Sequence, residues 1–307
     1  MRVDAADLDA NASAGARVAA LLPSARELLA LTKPHIVLVN AVVAGGGMAL
    51  APATIGPWTA ALALFCIGAV VGGAGAINMV IERDRDRLMP RTSDRPLPAR
   101  RLGVGPALGF GLALSTGSIT IMALSVNLLT AALGLLGLLL YTLAYTPLKR
   151  RTALALPVGA VAGALPPLMG WTAVTGSVAT PGLVLAAVLF VWQVPHFLAI
   201  AIFRSDEYAR AGFRTAASAL GARRAWALLT LSAVLLVPVS LLLVPLAVAG
   251  CVYFGVAVTA GAGLIVVAGR GLRSDTSASR PARLFFRATL VYLPLLALGL
   301  VLDRLVM

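Results

Sequence analysis

Charge is scarce in this sequence. Asp, Glu, Lys and Arg make up only 12% of its 307 residues, about half the share of a soluble globular domain, while 60% are hydrophobic. Mean hydropathy is +0.94. A soluble fold is excluded. Cysteine is nearly absent as well. Cys66 and Cys251 sit in separate apolar blocks with no C-x-x-C pair, so there is no disulfide framework, and both read as small packing residues. The apolar blocks are continuous and do not alternate with polar residues, which argues against a membrane β-barrel. The first thirty residues lack a basic start followed by an apolar core. They carry Asp4, Asp7, Asp9 and Glu27, and read as a cytoplasmic tail, partly disordered, with Arg17–Ala30 as an amphipathic helix, not as a secretory signal.

Apolar blocks dominate what remains. Each is near the ~20 residues that a helix needs to cross a bilayer. Nine follow one another, near Ile36–Ala51, Trp58–Ile81, Gly103–Leu124, Leu128–Tyr145, Ala153–Ala173, Gly182–Phe203, Ala225–Val244, Leu246–Ala268 and Phe285–Leu302. The expected fold is an all-α polytopic membrane protein, with residues 31–307 as one nine-helix domain. Pro157, Pro166 and Pro167 predict a kink in the fifth span. Trp58, Trp171 and Trp226 read as interface anchors. Of the 25 Lys and Arg residues, all but Arg304 fall in the tail or after an even-numbered span, Arg287 lying at the edge of the ninth. The intervening loops carry none. The positive-inside rule then places the amino terminus and the even-to-odd loops in the cytoplasm. It also explains the net charge of +13 without nucleic acid.

Topology accounts for arginines but not for acids gathered at two helix ends. After the second span come Glu82, Asp84, Asp86 and Asp94, and after the sixth come Asp206 and Glu207. Read as helix, Asn78, Glu82 and Asp86 are four residues apart and stack on one face. Three oxygen-bearing side chains on one face suit a hard cation such as Mg2+. Arg83, Arg85, Arg87, Arg91 and Arg95 interleave with them, and guanidiniums fork onto phosphate oxygens, so the stretch suits a diphosphate. Alternatively, it is a basic cytoplasmic loop whose acids only neutralise it.

Six blocks then resemble, in order, the intramembrane prenyltransferases of the UbiA superfamily, and within it the branch whose members farnesylate heme. They are Leu31-Thr-Lys33-Pro34; Asn78 through Arg95-Pro96; Tyr145-Thr-x-x-Lys149-Arg150-Arg151-Thr152; Pro166-Pro167-x-x-Gly170-Trp171; Trp192-x-x-Pro195-His196-Phe197; and Asp206-Glu207-Tyr208-Ala-Arg210-Ala-Gly212. The resemblance implies a ring of nine helices with a cytoplasm-facing active site in the cell inner membrane. It implies transfer of farnesyl from farnesyl diphosphate to the 2-vinyl group of heme B, giving heme O. Asn78, Glu82 and Asp86 would hold one Mg2+, and Asp206 with Glu207 would help with a second. Arg91, Arg95, Lys149 and Arg150 would neutralise the diphosphate. His196, with Trp192 beside it, would handle heme, since imidazole is a common axial ligand of heme iron. A lone intramembrane histidine also serves simply to bond a neighbouring helix. The product would pass to a heme A synthase or to terminal oxidase assembly. This chain departs from the family in having Glu82 where Asp is usual, His35 where Arg is usual, and Phe213-Arg-Thr-Ala-Ala-Ser after Gly212 where Met-Leu-Pro is common.

Three other readings remain open at this level. A prenyltransferase acting on a quinone precursor or a chlorophyll-type acceptor would share the acidic loops. A transporter would put acids near the bilayer midplane and break its helices in pairs. A heme-binding protein without catalysis would have no need of the Asn78, Glu82, Asp86 ladder.

Overall fold

The computed structural model describes residues 23–153, 155–273 and 279–306, and all the regular structure there is helical. Residues 17–22 of the expected amphipathic helix lie outside them. What is described begins with α1 (Ala25–Leu31), closed by a capping box in which Ser24 accepts from the Glu27 N–H and Glu27 reaches back to Ser24. The chain then bends by 57° into α2 (Pro34–Leu50). Lys33, at φ 55°, makes that bend, and Pro34 starts the helix with its φ already set.

The remaining helices are α3 (Pro57–Asp86), α4 (Val104–Ser125), α5 (Leu128–Leu148), α6 (Ala155–Thr175), α7 (Thr180–Phe203), α8 (Ser205–Arg210), α9 (Ala216–Leu220), α10 (Ala222–Leu241), α11 (Cys251–Arg273) and α12 (Ser279–Val306). Eight of the described helices are long and apolar enough to cross a membrane, and nine spans result if the bent α1–α2 pair is one of them. This is a multi-pass membrane protein.

The helices close into two groups. In the amino-terminal group, α2 packs on α3, α3 on α4, α4 on α5, α5 on α6, and α6 back on α2. In the carboxy-terminal group, α7, α10, α11 and α12 follow one another around a second core. Contact of α6 with α7 joins the two.

Several boundaries differ from those read in the sequence, each for a local reason. The seventh span stops at Leu241, because Pro245 biases Val244 away from helix and the chain turns there. The eighth starts only at Cys251. Its first N–H groups find a partner on another helix, as Asp303 of α12 accepts from Gly250, Val252 and Tyr253 at 2.6, 3.0 and 3.1 Å. Helix α6 runs on through Pro166 and Pro167. Only Trp58, 87% exposed, is placed as an interface anchor would be. Trp171 and Trp226 are buried between helices instead, against Gly182 and Gly271, where a Cβ would collide with the indoles. Cys66 is buried as a packing residue, but Cys251 is exposed.

Candidate active site

Helix α3 has 30 residues. At 1.5 Å per residue that is about 45 Å, against roughly 30 Å of hydrocarbon in a bilayer. Its last turns therefore stand at the membrane edge, and they carry the ladder. Asn78, Glu82 and Asp86 lie on one face and are only 2%, 4% and 2% exposed. So much buried polarity requires partners. Asn78 Nδ2 donates to Glu82 Oε2 at 3.0 Å and to Thr146 Oγ1 at 3.0 Å, while Asn78 Oδ1 accepts from Lys33 Nζ at 2.9 Å. Lys149 Nζ meets Glu82 Oε2 at 2.6 Å, and Arg95 meets Asp86 Oδ2 at 2.8 Å. One atom is left over, since Glu82 Oε1 is buried with no hydrogen-bond partner.

Distant segments bring these cations to the ladder. Lys33 lies at the α1–α2 bend. Its side chain is half-buried there, with Arg95 and Lys149 nearby. Arg95 sits in the loop after α3, which Thr92 fastens by donating to the Asp86 carbonyl at 2.7 Å. Lys149 follows a π-helical turn over Leu140–Tyr145 in α5. Pro147 has no N–H to give the carbonyl four residues back, and Thr146 Oγ1 donates to the Tyr141 carbonyl at 2.7 Å, so the helix widens there. Tyr141, Tyr145 and Lys149 all face the same cavity as the ladder.

That cavity, of about 270 Å³, lies between the two helix groups. Lys33, Arg91, Arg95, Lys149 and the ladder form its polar end; Leu156, Phe197, Leu198, Ile200 and Ala201 form much of its apolar wall. Phe213 closes one side, with Lys149 Nζ and the Arg85 guanidinium each 5.3 Å from its ring centroid. Arg85 also donates to the carbonyls of Ala211 and Gly212 at 3.2 and 2.7 Å, tying the loop after α7 to the end of α3. The stretch that departs from the family pattern thus supplies a wall of the cavity.

The expected residues do not all converge. Asn78, Glu82, Asp86, Arg91, Arg95 and Lys149 do. Arg150 instead donates to the Ile81 carbonyl and is absent from the lining. Glu207 reaches the site only through Arg91, 3.5 Å away, and is held by Arg204 at 2.9 Å. Asp206 is exposed and outside the lining. Among the described residues, no three Asp, Glu, His or Cys side chains gather around one point, so the ladder offers a cation two carboxylates and an amide. His196 turns toward α12. Thr289 Oγ1 donates to the Phe286 carbonyl at 2.6 Å, so at the 2.8 Å contact with His196 Nδ1 the ring nitrogen is the donor. This tautomer leaves Nε2 with the lone pair. Trp192 stacks on the imidazole at 4.5 Å and donates to the Thr289 carbonyl.

Lys33, Thr146, Tyr141 and Phe213 were not singled out in the sequence as site residues. Lys33 and Thr146 stand in blocks that resemble the family, and Phe213 opens the stretch that departs from it, whereas Tyr141 leaves no signal.

Residues 38–290 match the UbiA prenyltransferase family. A protein named protoheme IX farnesyltransferase, from Anaeromyxobacter sp. (strain Fw109-5), is 48% identical over 294 residues, covering 96% of this chain and 98% of its own. Among solved structures, one described with the biosynthesis of digeranylgeranylglyceryl phosphate synthase superposes with a TM-score of 0.79 at 15% identity, covering 92% of this chain and 99% of that one. A UbiA homolog from Archaeoglobus fulgidus bound to GPP and Mg2+ superposes at 0.66 with 15% identity, covering 89% and 99%. At such identities the two structures speak for the fold.

Proposed function

The chain belongs to the UbiA prenyltransferase family, and from that premise we propose that it transfers farnesyl from farnesyl diphosphate to the 2-vinyl group of heme B, giving heme O and diphosphate. The observation that carries this reading is the buried ladder ringed by Lys33, Arg95 and Lys149 at the polar end of an apolar cavity. The 48% identical relative, named for farnesyl transfer to protoheme IX, supports the choice of substrates.

A divalent cation fits the residues present. Glu82 Oε1 is a buried carboxylate oxygen without a donor, and Asn78, Glu82 and Asp86 are hard oxygen ligands. These three would hold Mg2+, which when bound lowers the charge on the leaving diphosphate. Lys33, Arg91, Arg95 and Lys149 neutralise the remaining diphosphate oxygens, so that the allylic C–O bond ionises. The apolar wall, from Leu156 to Ala201, houses the farnesyl chain and keeps water from the cation. The vinyl carbon of heme attacks that cation, and water captures the resulting one and gives up a proton to solvent, leaving a hydroxyethylfarnesyl group. His196, with Nε2 as its lone-pair nitrogen, ligates heme iron, and Trp192 supports its ring. Glu207 orients Arg91. A second cation at Asp206 and Glu207 would require the Ser205–Gly212 loop to turn toward the mouth.

On this reading the polar end faces the cytoplasm and the protein sits in the inner membrane; the positive-inside pattern supports the cytoplasmic side. Downstream, heme O would be handed to a heme A synthase or to terminal oxidase assembly. The reading is tested with purified protein, farnesyl diphosphate, Mg2+ and heme B, followed by mass spectrometry. Heme O is expected. Product formed only with a quinone precursor or a chlorophyll-type acceptor would overturn the choice of heme.

A further inference from the structure

The ladder and its cations are matched one to one. Lys33 holds Asn78, Lys149 holds Glu82, and Arg95 holds Asp86, at 2.9, 2.6 and 2.8 Å. Each of the three ladder residues therefore already holds one protein cation, and Glu82 keeps Oε1 open beside it. The three cations come from three segments: the α1–α2 bend, the end of α5 and the loop after α3. All three line the cavity. Splitting such a pair would strand a buried carboxylate on one side and a cation on the other. A divalent ion arriving alone at the open Glu82 Oε1 meets the Lys149 ammonium on the carboxylate's other oxygen, and the two positive charges repel unless the ammonium leaves with nothing to bind. A diphosphate arriving alone meets Glu82 and Asp86 as buried like charges.

When the two arrive together, both problems are removed. The diphosphate takes Lys33, Lys149 and Arg95, and the metal takes the oxygens they release. We propose that the ladder cations are an exchangeable lock that couples metal uptake to diphosphate uptake, so that the metal is held firmly only when an organic diphosphate is present. Lys149 is the central positioning residue of the lock, because its partner Glu82 also carries a buried oxygen with no donor. The coupling is reciprocal, with each ligand raising the affinity of the other by the same factor. It also has a functional consequence: the carboxylates stay neutralised between turnovers, and the metal leaves with the product diphosphate. This inference rests on the proposed diphosphate chemistry, and the experiment separates the two.

The test uses the full-length protein in detergent, without heme. It is titrated with Mn2+, and free ion is read by electron paramagnetic resonance. The titration is done with and without farnesyl S-thiolodiphosphate, an analogue whose bridging sulfur resists ionisation. Mn2+ alone is expected to bind at least about tenfold more weakly than with the analogue. Direct metal–diphosphate contact would produce that result without any lock, so the deciding measurement is Lys149→Met. This variant is expected to bind Mn2+ alone at least about fivefold more tightly than wild type and to show a smaller coupling factor. Arg151→Met, which removes an exposed charge two residues away, controls for net charge and should change Mn2+ affinity by less than about twofold. Should Lys149→Met misfold, Lys33→Met is measured in the same way, with a smaller tightening expected because its partner is an amide. Unchanged Mn2+ affinity in the lysine variant, with the wild type still binding both ligands, overturns the lock and leaves the proposed function standing. Wild type that binds no analogue even with Mn2+ present overturns the diphosphate reading itself.

Discussion

The two helix groups are held together in different ways. In the amino-terminal group, several contacts bring backbone to backbone: a Cβ on Gly47 would strike the Pro167 carbonyl, one on Gly170 the Ala44 carbonyl, and one on Gly73 the Gly111 carbonyl on α4. In the carboxy-terminal group, glycines make room for large side chains, Gly271 for Trp226 and Gly261 for Val237, around a core that includes Tyr253, Phe285 and Tyr292. Buried polar groups in its core find partners there, with Ser240 bonded to Tyr292 and accepting from Tyr253 at its carbonyl. The amino-terminal group instead leaves Glu82 Oε1 unsatisfied and stacks charges at the end of α3. Close helix contacts surround the polar cluster, whereas the other group gives the cavity part of its apolar wall.

The difference can be broken most severely at the ladder. Glu82→Ala and Asp86→Ala should each lower heme O formation by at least about 100-fold, read by mass spectrometry, while size-exclusion profile and helical circular dichroism persist. Full activity in both would remove the cation assignment. Next in size is Gly47→Ala, where backbone must shift. It should cost about 2–4 kcal/mol and visibly lower the melting temperature in detergent, whereas Gly255→Ala, with open space around its Cβ, should change stability by less than about 0.5 kcal/mol. Equal effects would show that the close approach of α2 to α6 at Gly47 carries no special weight.

Within the carboxy-terminal group, Asp303→Asn weakens the cap on α11. A loss of about 1–2 kcal/mol is expected, with turnover retained, measured by thermal unfolding beside the activity assay. His196→Ala is the smallest and most discriminating change. Stability should fall by about 1 kcal/mol as the bond to Thr289 goes, and the heme absorption spectrum should weaken and shift. An unchanged spectrum and unchanged turnover would reduce His196 to a helix-to-helix bond and make its group a wall throughout.

Much of this was legible from residue patterns. Apolar blocks near 20 residues marked the spans, because a bilayer leaves a continuous helix few alternatives. The four-residue spacing put Asn78, Glu82 and Asp86 on one face, and α3 runs through all three. Boundaries were misplaced where a partner distant in sequence decided them, as Asp303 does for α11. Aromatic residues misled in the same way. Trp171 and Trp226 have interface chemistry, but a glycine on a neighbouring helix gives each a buried slot.

Local spacing and hydropathy determined that this chain folds as membrane-crossing helices and that one helix end carries a cation-seeking face. Both depend on neighbours within a few residues. Tertiary structure alone decided which cations meet that face. Lys33 and Asn78 are 45 residues apart and Glu82 and Lys149 are 67 apart, so nothing in their local sequence records the pairing. It also left Asp206 in solvent and turned His196 toward α12, since the packing of whole helices, and not the chemistry of one residue, sets where a side chain points.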